Sequence, residues 1–369
     1  EAIRLNPQSP YAYQRRGQVW YQKDDEDKAL ADLQEALRLN PKSASINAFV
    51  GAVLVSKNEL QQAMVHFNEA IAAAPDDADY RAVRGRIWLR QDNYAKAIED
   101  LDVAIELSPD DAQTYVSRSG AYALKNELEK AMADADEAIR LDPSLIPAYR
   151  FRANFRKVKE DWAGAIADYD EIIKRDPSPE VYFQRGFAHY QNGDHHKTML
   201  DATVAIWLGP KDANNYELRG GAWLVLKSPE KAVADFTEAL QLDPASKNAL
   251  SGRGAAWLMT GEYQKAIDDL SGALKIGSSA QAFASRGRAY RGLDDNANAI
   301  TDFDKAIALD PANSAYHFLR GGAYHNQGNS DQAIANLTEA IRLDPNDADC
   351  YEVRGQVWAK KQDYEKAIL

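Results

Sequence analysis

Residues 10–43 read PYAYQRRGQVWYQKDDEDKALADLQEALRLNPKS, and the same 34-residue pattern restarts at Ala44, Ala78, Ala112 and Ile146. Pro7, Pro41, Pro75, Pro109, Pro143 and Pro177 stand 34 residues apart, and the series runs on through Pro210, Pro244, Pro311 and Pro345, with Ser278 filling one gap. With Pro10 as position 1, position 8 is small in every copy: Gly17, Gly51, Gly85, Ser119, Ala153, Gly186, Gly220, Gly254, Gly287, Gly321 and Gly355. Position 20 is Ala in all but one copy, from Ala29 to Ala367, with Thr198 the exception. A period of this length means supersecondary units that cannot bury their apolar faces alone and must stack to do so.

Within one unit, apolar residues recur at helical spacing twice, separated by a turn. The pattern predicts helix A from Tyr11 to Gln22 and helix B from Glu26 to Leu39. The Asn or Asp before each Pro is disfavoured in the α region and ends helix B, and the segment after the Pro opens the next helix A. Asn58, Asn126, Gly193, Gly261 and Gly328 stand in the A–B turn, where a left-handed cap is needed. Large apolar groups at positions 10, 11, 21, 24 and 28 should fill the space around the small residues. The position-11 row, which includes Trp20, Trp88, Trp223, Trp257 and Trp358, is therefore expected in the core rather than as a stacking ladder for bases.

Tyr13, Gly17, Trp20, Ala29, Leu33, Ala36 and Pro41 together resemble the signature of the tetratricopeptide repeat, and the register covers the whole chain. The resemblance implies an all-α fold, a right-handed superhelical solenoid of antiparallel helix pairs. It divides the chain into a partial repeat at 1–9, ten full repeats over about 10–347 and an incomplete one at 348–369. Both ends fall inside a unit, as expected of a piece of a longer array.

One column departs from the family. Position 7 is Arg in ten copies, among them Arg16, Arg84, Arg118 and Arg152, and position 23 is Asp in eight, among them Asp32, Asp100, Asp134 and Asp168. The second copy loses both members at once, with Val50 and His66, and the tenth sets Arg320 against Asn336. Loss in concert points to a bidentate ion pair between helices A and B of one unit.

Composition narrows the function. The 369 residues carry a formal charge of −12, which disfavours sequence-blind binding to nucleic acid or anionic lipid. No apolar run is long enough to cross a membrane. The one cysteine, Cys350, excludes an internal disulfide framework and any CxxC site. No phosphate-binding loop, HExxH or GxSxG pattern occurs, so no catalysis, cofactor or metal is expected. His189, His195 and His196 form the one local histidine cluster and read as a packed imidazole beside a solvated turn.

By the resemblance, helix A lines a concave groove with its positions 2, 5, 9, 12 and 13. Positions 5, 9, 12 and 13 supply Arg86, Arg90, Arg150, Lys157, Arg288, Arg291 and Lys360 against only Glu217 and Glu352, the reverse of the chain's overall balance. Phe183, Phe187, Tyr190, Leu224, Val225, Leu258 and Met259 make the middle apolar, and Gly221, Ala255 and Gly322 leave room there for a ligand backbone. Arg150 and Asn154 resemble the opening Lys–Asn pair of the family's carboxylate clamp, but Gln184, Asn214 and Leu218 do not complete it. The expected role is a non-catalytic scaffold for a protein or peptide, acidic in part and with an apolar anchor. The alternatives are a substrate-docking or regulatory arm of a larger enzyme, and self-association through uncapped terminal helices. The compartment stays open, with the cytoplasm slightly favoured.

Overall fold

The computed structural model describes residues 1–368. Among the described residues there are 23 helices and no strand. Ten A–B pairs follow one another from Pro10 to Leu343, preceded by Ala2–Leu5 and followed by Ala348–Lys360 and Tyr364–Ile368. The chain divides into two compact units, Glu1–Asp176 and Pro177–Leu369. In both, a helix B packs against the A helices before and after it, while successive A helices also touch one another, as Ala78–Arg90 does Ala112–Leu124 and Lys247–Thr260 does Ala280–Gly292. The A helices therefore form the inner side of each stack.

The helix ends follow from local chemistry. The first full pair spans Pro10–Tyr21 and Glu26–Leu39, and every helix B of the ten pairs has 14 residues. Asn40 and Asp142 end their B helices, as the following Pro requires. The segment after each Pro opens the next helix A. Pro41, Pro75 and Pro109 lie in the connecting turn, and helix A starts three residues later beneath Ser43, Asp77 or Asp111, whose side chain accepts an amide hydrogen bond. At the A–B turn the left-handed residue is Asn58, Asn126, Gly193, Gly261 or Gly328, as the sequence suggests, but also Asp24, Asp92, Glu160, Lys227, Asp294 and Gln362. The next amide returns to the position-11 carbonyl five residues back, for example Ser228 to Trp223 at 2.9 Å.

The small residues let helices A and B meet. A Cβ on Gly51 would lie 2.7 Å from Phe67, and one on Gly287 the same distance from Phe303. Ser119 fits the same site by donating its hydroxyl to the Ala131 carbonyl at 2.6 Å. Position 24 is the centre of the core: Leu33, Leu101, Phe303 and Leu337 are fully buried. The position-11 rings pack on this core but keep one face half-open, and a lysine at position 19 covers it. Lys28 lies 4.6 Å from the Trp20 ring, Lys96 4.5 Å from Trp88 and Lys231 4.4 Å from Trp223.

Eight of the position-7 arginines reach their own position-23 carboxylates, and Arg320 donates from Nε to Asn336 Oδ1 at 2.7 Å. Nε and Nη2 donate to both oxygens of Asp32, Asp100, Asp134, Asp168, Asp201, Asp235, Asp269 and Asp302 at 2.6–3.2 Å. These carboxylates are buried. The hydrogen bond to its Asp, above all, raises the ionisation range of Arg118, Arg219, Arg253 and Arg286. Nη1 is left over, and it crosses to position 25 of the preceding helix B. It meets Asn68 and Asp102 at 2.7 Å, Asp136 at 2.8 Å, Thr203 at 3.3 Å, Thr237 at 3.2 Å, Ser271 at 2.9 Å and Asp304 at 2.6 Å. One guanidinium thus ties three helices. In the second pair, where Val50 and His66 replace the couple, His66 Nδ1 meets Asn47 Oδ1 at 3.0 Å, and Asn47 donates to the carbonyls of Pro41 and Ser43.

Asp168 accepts from Arg156 as well as Arg152, so removing it takes the buried partner from two guanidiniums, leaving Arg152 only Asp136 and Arg156 the Gly164 carbonyl and the more distant Asp161. Asp168→Ala is expected to cost about 3–5 kcal/mol of unfolding free energy by chemical denaturation. Glu339→Ala, which breaks an exposed pair with Arg342, should leave the midpoint unchanged. Lys227 holds φ 54° without glycine's freedom, so Lys227→Gly should stabilise by about 1 kcal/mol in the same measurement.

Candidate functional site

Helix A of the sixth pair, Pro179–Gln191, is opened by Ser178, whose hydroxyl accepts from the Val181 amide at 3.4 Å, and by Pro179 in its first turn. Gly186, Ala188 and His189 turn inward. That leaves Phe183, Phe187 and Tyr190, one helical turn apart, half-buried on the inner side. The His195 and Tyr190 rings meet in a T-shaped contact with 5.0 Å between centroids.

Two adjoining pockets of the second unit are built on these rings. The first, about 390 Å³, lies among Phe183, Phe187, Tyr190, Glu217, Leu218 and Phe236. The second, about 400 Å³, lies among Leu224, Val225, Leu258, Met259, Ser285 and Arg288. Tyr190 and Gly221 belong to both, so the two form one trough. Gly221 keeps its floor low, since a Cβ there would meet nothing closer than Tyr190 at 3.7 Å. Val225 and Met259 are nearly half-exposed on the rim. A trough so lined removes apolar side chains from water and offers few fixed polar partners, which suits a peptide more than a small polar metabolite.

Polar groups mark its edges. Asn214 and Asn248 border the first pocket and Gln281 the second. All three occupy position 2 of their A helices, a column the sequence reading left out while tracing positions 5, 9, 12 and 13. Reading that column down the repeats would have found them. Glu217 accepts a hydrogen bond from the Ser246 hydroxyl.

The expected residues of the first unit are arranged differently. Arg150 and Asn154 share a smaller pocket of about 280 Å³ with Pro147 and Phe151. Phe151 stacks on Phe155 with centroids 6.3 Å apart. Lys157 is half-buried, and burial holds its ammonium below the ordinary lysine range. Arg90 donates to the Val55 carbonyl at 3.3 Å and to Asn58 Oδ1 at 2.6 Å, clasping the preceding A–B turn. Arg86 is half-buried, and burial lowers its ionisation range while Asp111 and Asp79 raise it. The structure therefore gathers Phe183, Phe187, Tyr190, Leu224, Leu258, Met259 and Arg288 in one trough, and sets Arg291 beside Arg288.

Among the described residues, no group of three or more His, Cys, Asp and Glu side chains converges on a point. No described helix is long and apolar enough to cross a membrane. Cys350 is buried, and burial pushes its thiol up to about 12.

Family profiles described as tetratricopeptide repeat match residues 21–87, 112–145, 204–281, 285–348 and 326–369. No curated protein matches the sequence. Among solved structures, the APC/C hetero-tetramer Cut9–Hcn1 is similar over 99% of this chain and 86% of its own, at 14% identity and a TM-score of 0.50. A tetratricopeptide repeat protein from Parabacteroides merdae ATCC 43184 is similar over 68% of this chain and 99% of its own, at 18% identity and a TM-score of 0.48. YrrB, a tetratricopeptide repeat protein with an unusual peptide-binding site, covers 49% of this chain and 95% of its own, at 22% identity and a TM-score of 0.45. With the profiles recurring along its length and helix pairs closed by a small residue against a large one, the chain belongs to the tetratricopeptide repeat family.

Proposed function

We propose that the chain is a non-catalytic scaffold that holds a protein segment against the A-helix side of its second unit. The observation that carries this reading is the trough running from Phe183 past Tyr190 and Gly221 to Met259. Position 9 is small at Gly221 and Ala255, so a backbone can approach the floor while side chains drop into the pockets on either side. Binding is then the sum of several modest apolar contacts along an extended or helical segment, with the position-2 amides of Asn214, Asn248 and Gln281 fixing its register. The smaller pocket at Arg150 and Asn154 gives the first unit its own point of attachment. A net charge of −12 supports protein over nucleic acid as the partner.

Selection of a random peptide display library on the whole chain is expected to enrich sequences with spaced large apolar residues. Leu224→Asp with Leu258→Asp should weaken the selected peptides by about tenfold or more in fluorescence anisotropy, because a charge then replaces a buried leucine at each contact. Undiminished binding to that double variant would remove the trough as the site.

A further inference from the structure

Arginines in this chain are nearly all engaged. Those at position 7, Arg354 apart, hold carboxylates, Arg38, Arg140 and Arg342 pair along their own helices, and Arg90 clasps a turn. Arg288 and Arg291 are different. Among the described residues neither has a hydrogen bond or an ion pair, which they share with Arg86 and Arg354, although the chain has 56 acidic side chains to 44 basic ones. They stand one turn apart on the inner side of the helix Ala280–Gly292, Arg288 in the wall of the second pocket and Arg291 half-buried beside it. Repeat nine is the one copy with arginine at both positions 9 and 12, and the position-12 column before it reads Tyr190, Leu224, Leu258.

The surroundings offer no compensation. Burial, and then the like charge of Arg288, hold the Arg291 guanidinium below its ordinary range. One repeat further on, His325 occupies position 12, and burial and then the like charge of Lys360 depress it too. Arg86, by contrast, feels Asp111 and Asp79. Gly322 gives Arg291 its room, since a Cβ there would come within 3.0 Å of Nη1. A half-buried cation without a counter-ion destabilises the fold unless an anion arrives to join it.

We propose that Arg288 and Arg291 form the carboxylate-binding end of the trough, and that the partner is a protein segment carrying Asp or Glu side chains next to its apolar anchors. This rests on the trough being the binding site. The apolar side chains fill the Tyr190–Met259 stretch, and the acidic ones lie against the two guanidiniums, which accept planar carboxylates in bidentate fashion. Glu217 at the far end repels the same acidic residues, so the charge order along the segment is set.

The test uses the whole chain and short fluorescein-labelled peptides with Leu and Phe anchors, identical except that the residues flanking one end are all Glu, all Lys or all Ser. Wild type should bind the Glu version about tenfold tighter than the Ser version and the Lys version weakest, with the Glu advantage shrinking as salt rises. Arg288→Gln with Arg291→Gln should erase the difference, and Arg288→Glu with Arg291→Glu should reverse it in favour of Lys. Equal binding of all three peptides, lost on Leu224→Asp with Leu258→Asp, would overturn the charge assignment and leave the trough standing. Absence of binding by every peptide would overturn both.

Discussion

A guanidinium has a planar fork and one further nitrogen, and this chain uses both parts in most of its repeats. Nε and Nη2 close on the buried position-23 carboxylate of the same unit, and Nη1 reaches the helix before it. A buried carboxylate without that fork would be an uncompensated charge, so a hairpin that carries the position-23 Asp closes with its arginine in place, while the second, with Val50 and His66, carries neither charge. Because the third nitrogen crosses to the neighbouring hairpin, the contact that closes one unit also sets its spacing to the last. The apolar contacts of Gly, Leu and Phe supply most of the cohesion, but they are non-directional. The fork supplies direction.

With register held by the B helices and by position 7, the inner side of the A helices is free to vary. Repeats six to eight place aromatic and aliphatic groups there, with small residues between, and the trough follows. Repeat nine places two arginines at the same positions. The chemistry of the inner side thus changes sharply from copy to copy without disturbing the closure of the hairpin. Closure of the hairpin and the varied chemistry of the inner side are assigned to different columns of one pattern.

Several of these features could be read from the residues alone. Helix B of the first full unit runs Glu26–Leu39 as its spacing predicts. The ion pair was legible because Val50 and His66 lose both partners together, which only a direct contact explains. The second arm of the fork was not legible, since Asn68, Asp102, Thr203 and Ser271 share an oxygen acceptor and little else. Left-handed caps at Asn58 and Gly261 were visible from residue type, whereas Lys227 and Glu160 adopt the same conformation because the flanking helices and the returning amide leave no other path. Helix A begins after each Pro, as its spacing predicts, and capping side chains such as Ser43 and Asp77 decide the residue at which it starts.

Periodicity therefore established the architecture: a 34-residue spacing of small and large side chains admits one way of burying both helices, and that holds whatever the groove contains. Charge on the inner side is another matter. Arg90 and Arg288 are the same residue type in columns expected to face the same groove, yet one is spent on the Val55 carbonyl and Asn58 while the other faces an open pocket. Which cation is satisfied depends on groups more than thirty positions away in the chain. Only the packing of one hairpin on the next brings those groups within the few ångströms over which a hydrogen bond acts.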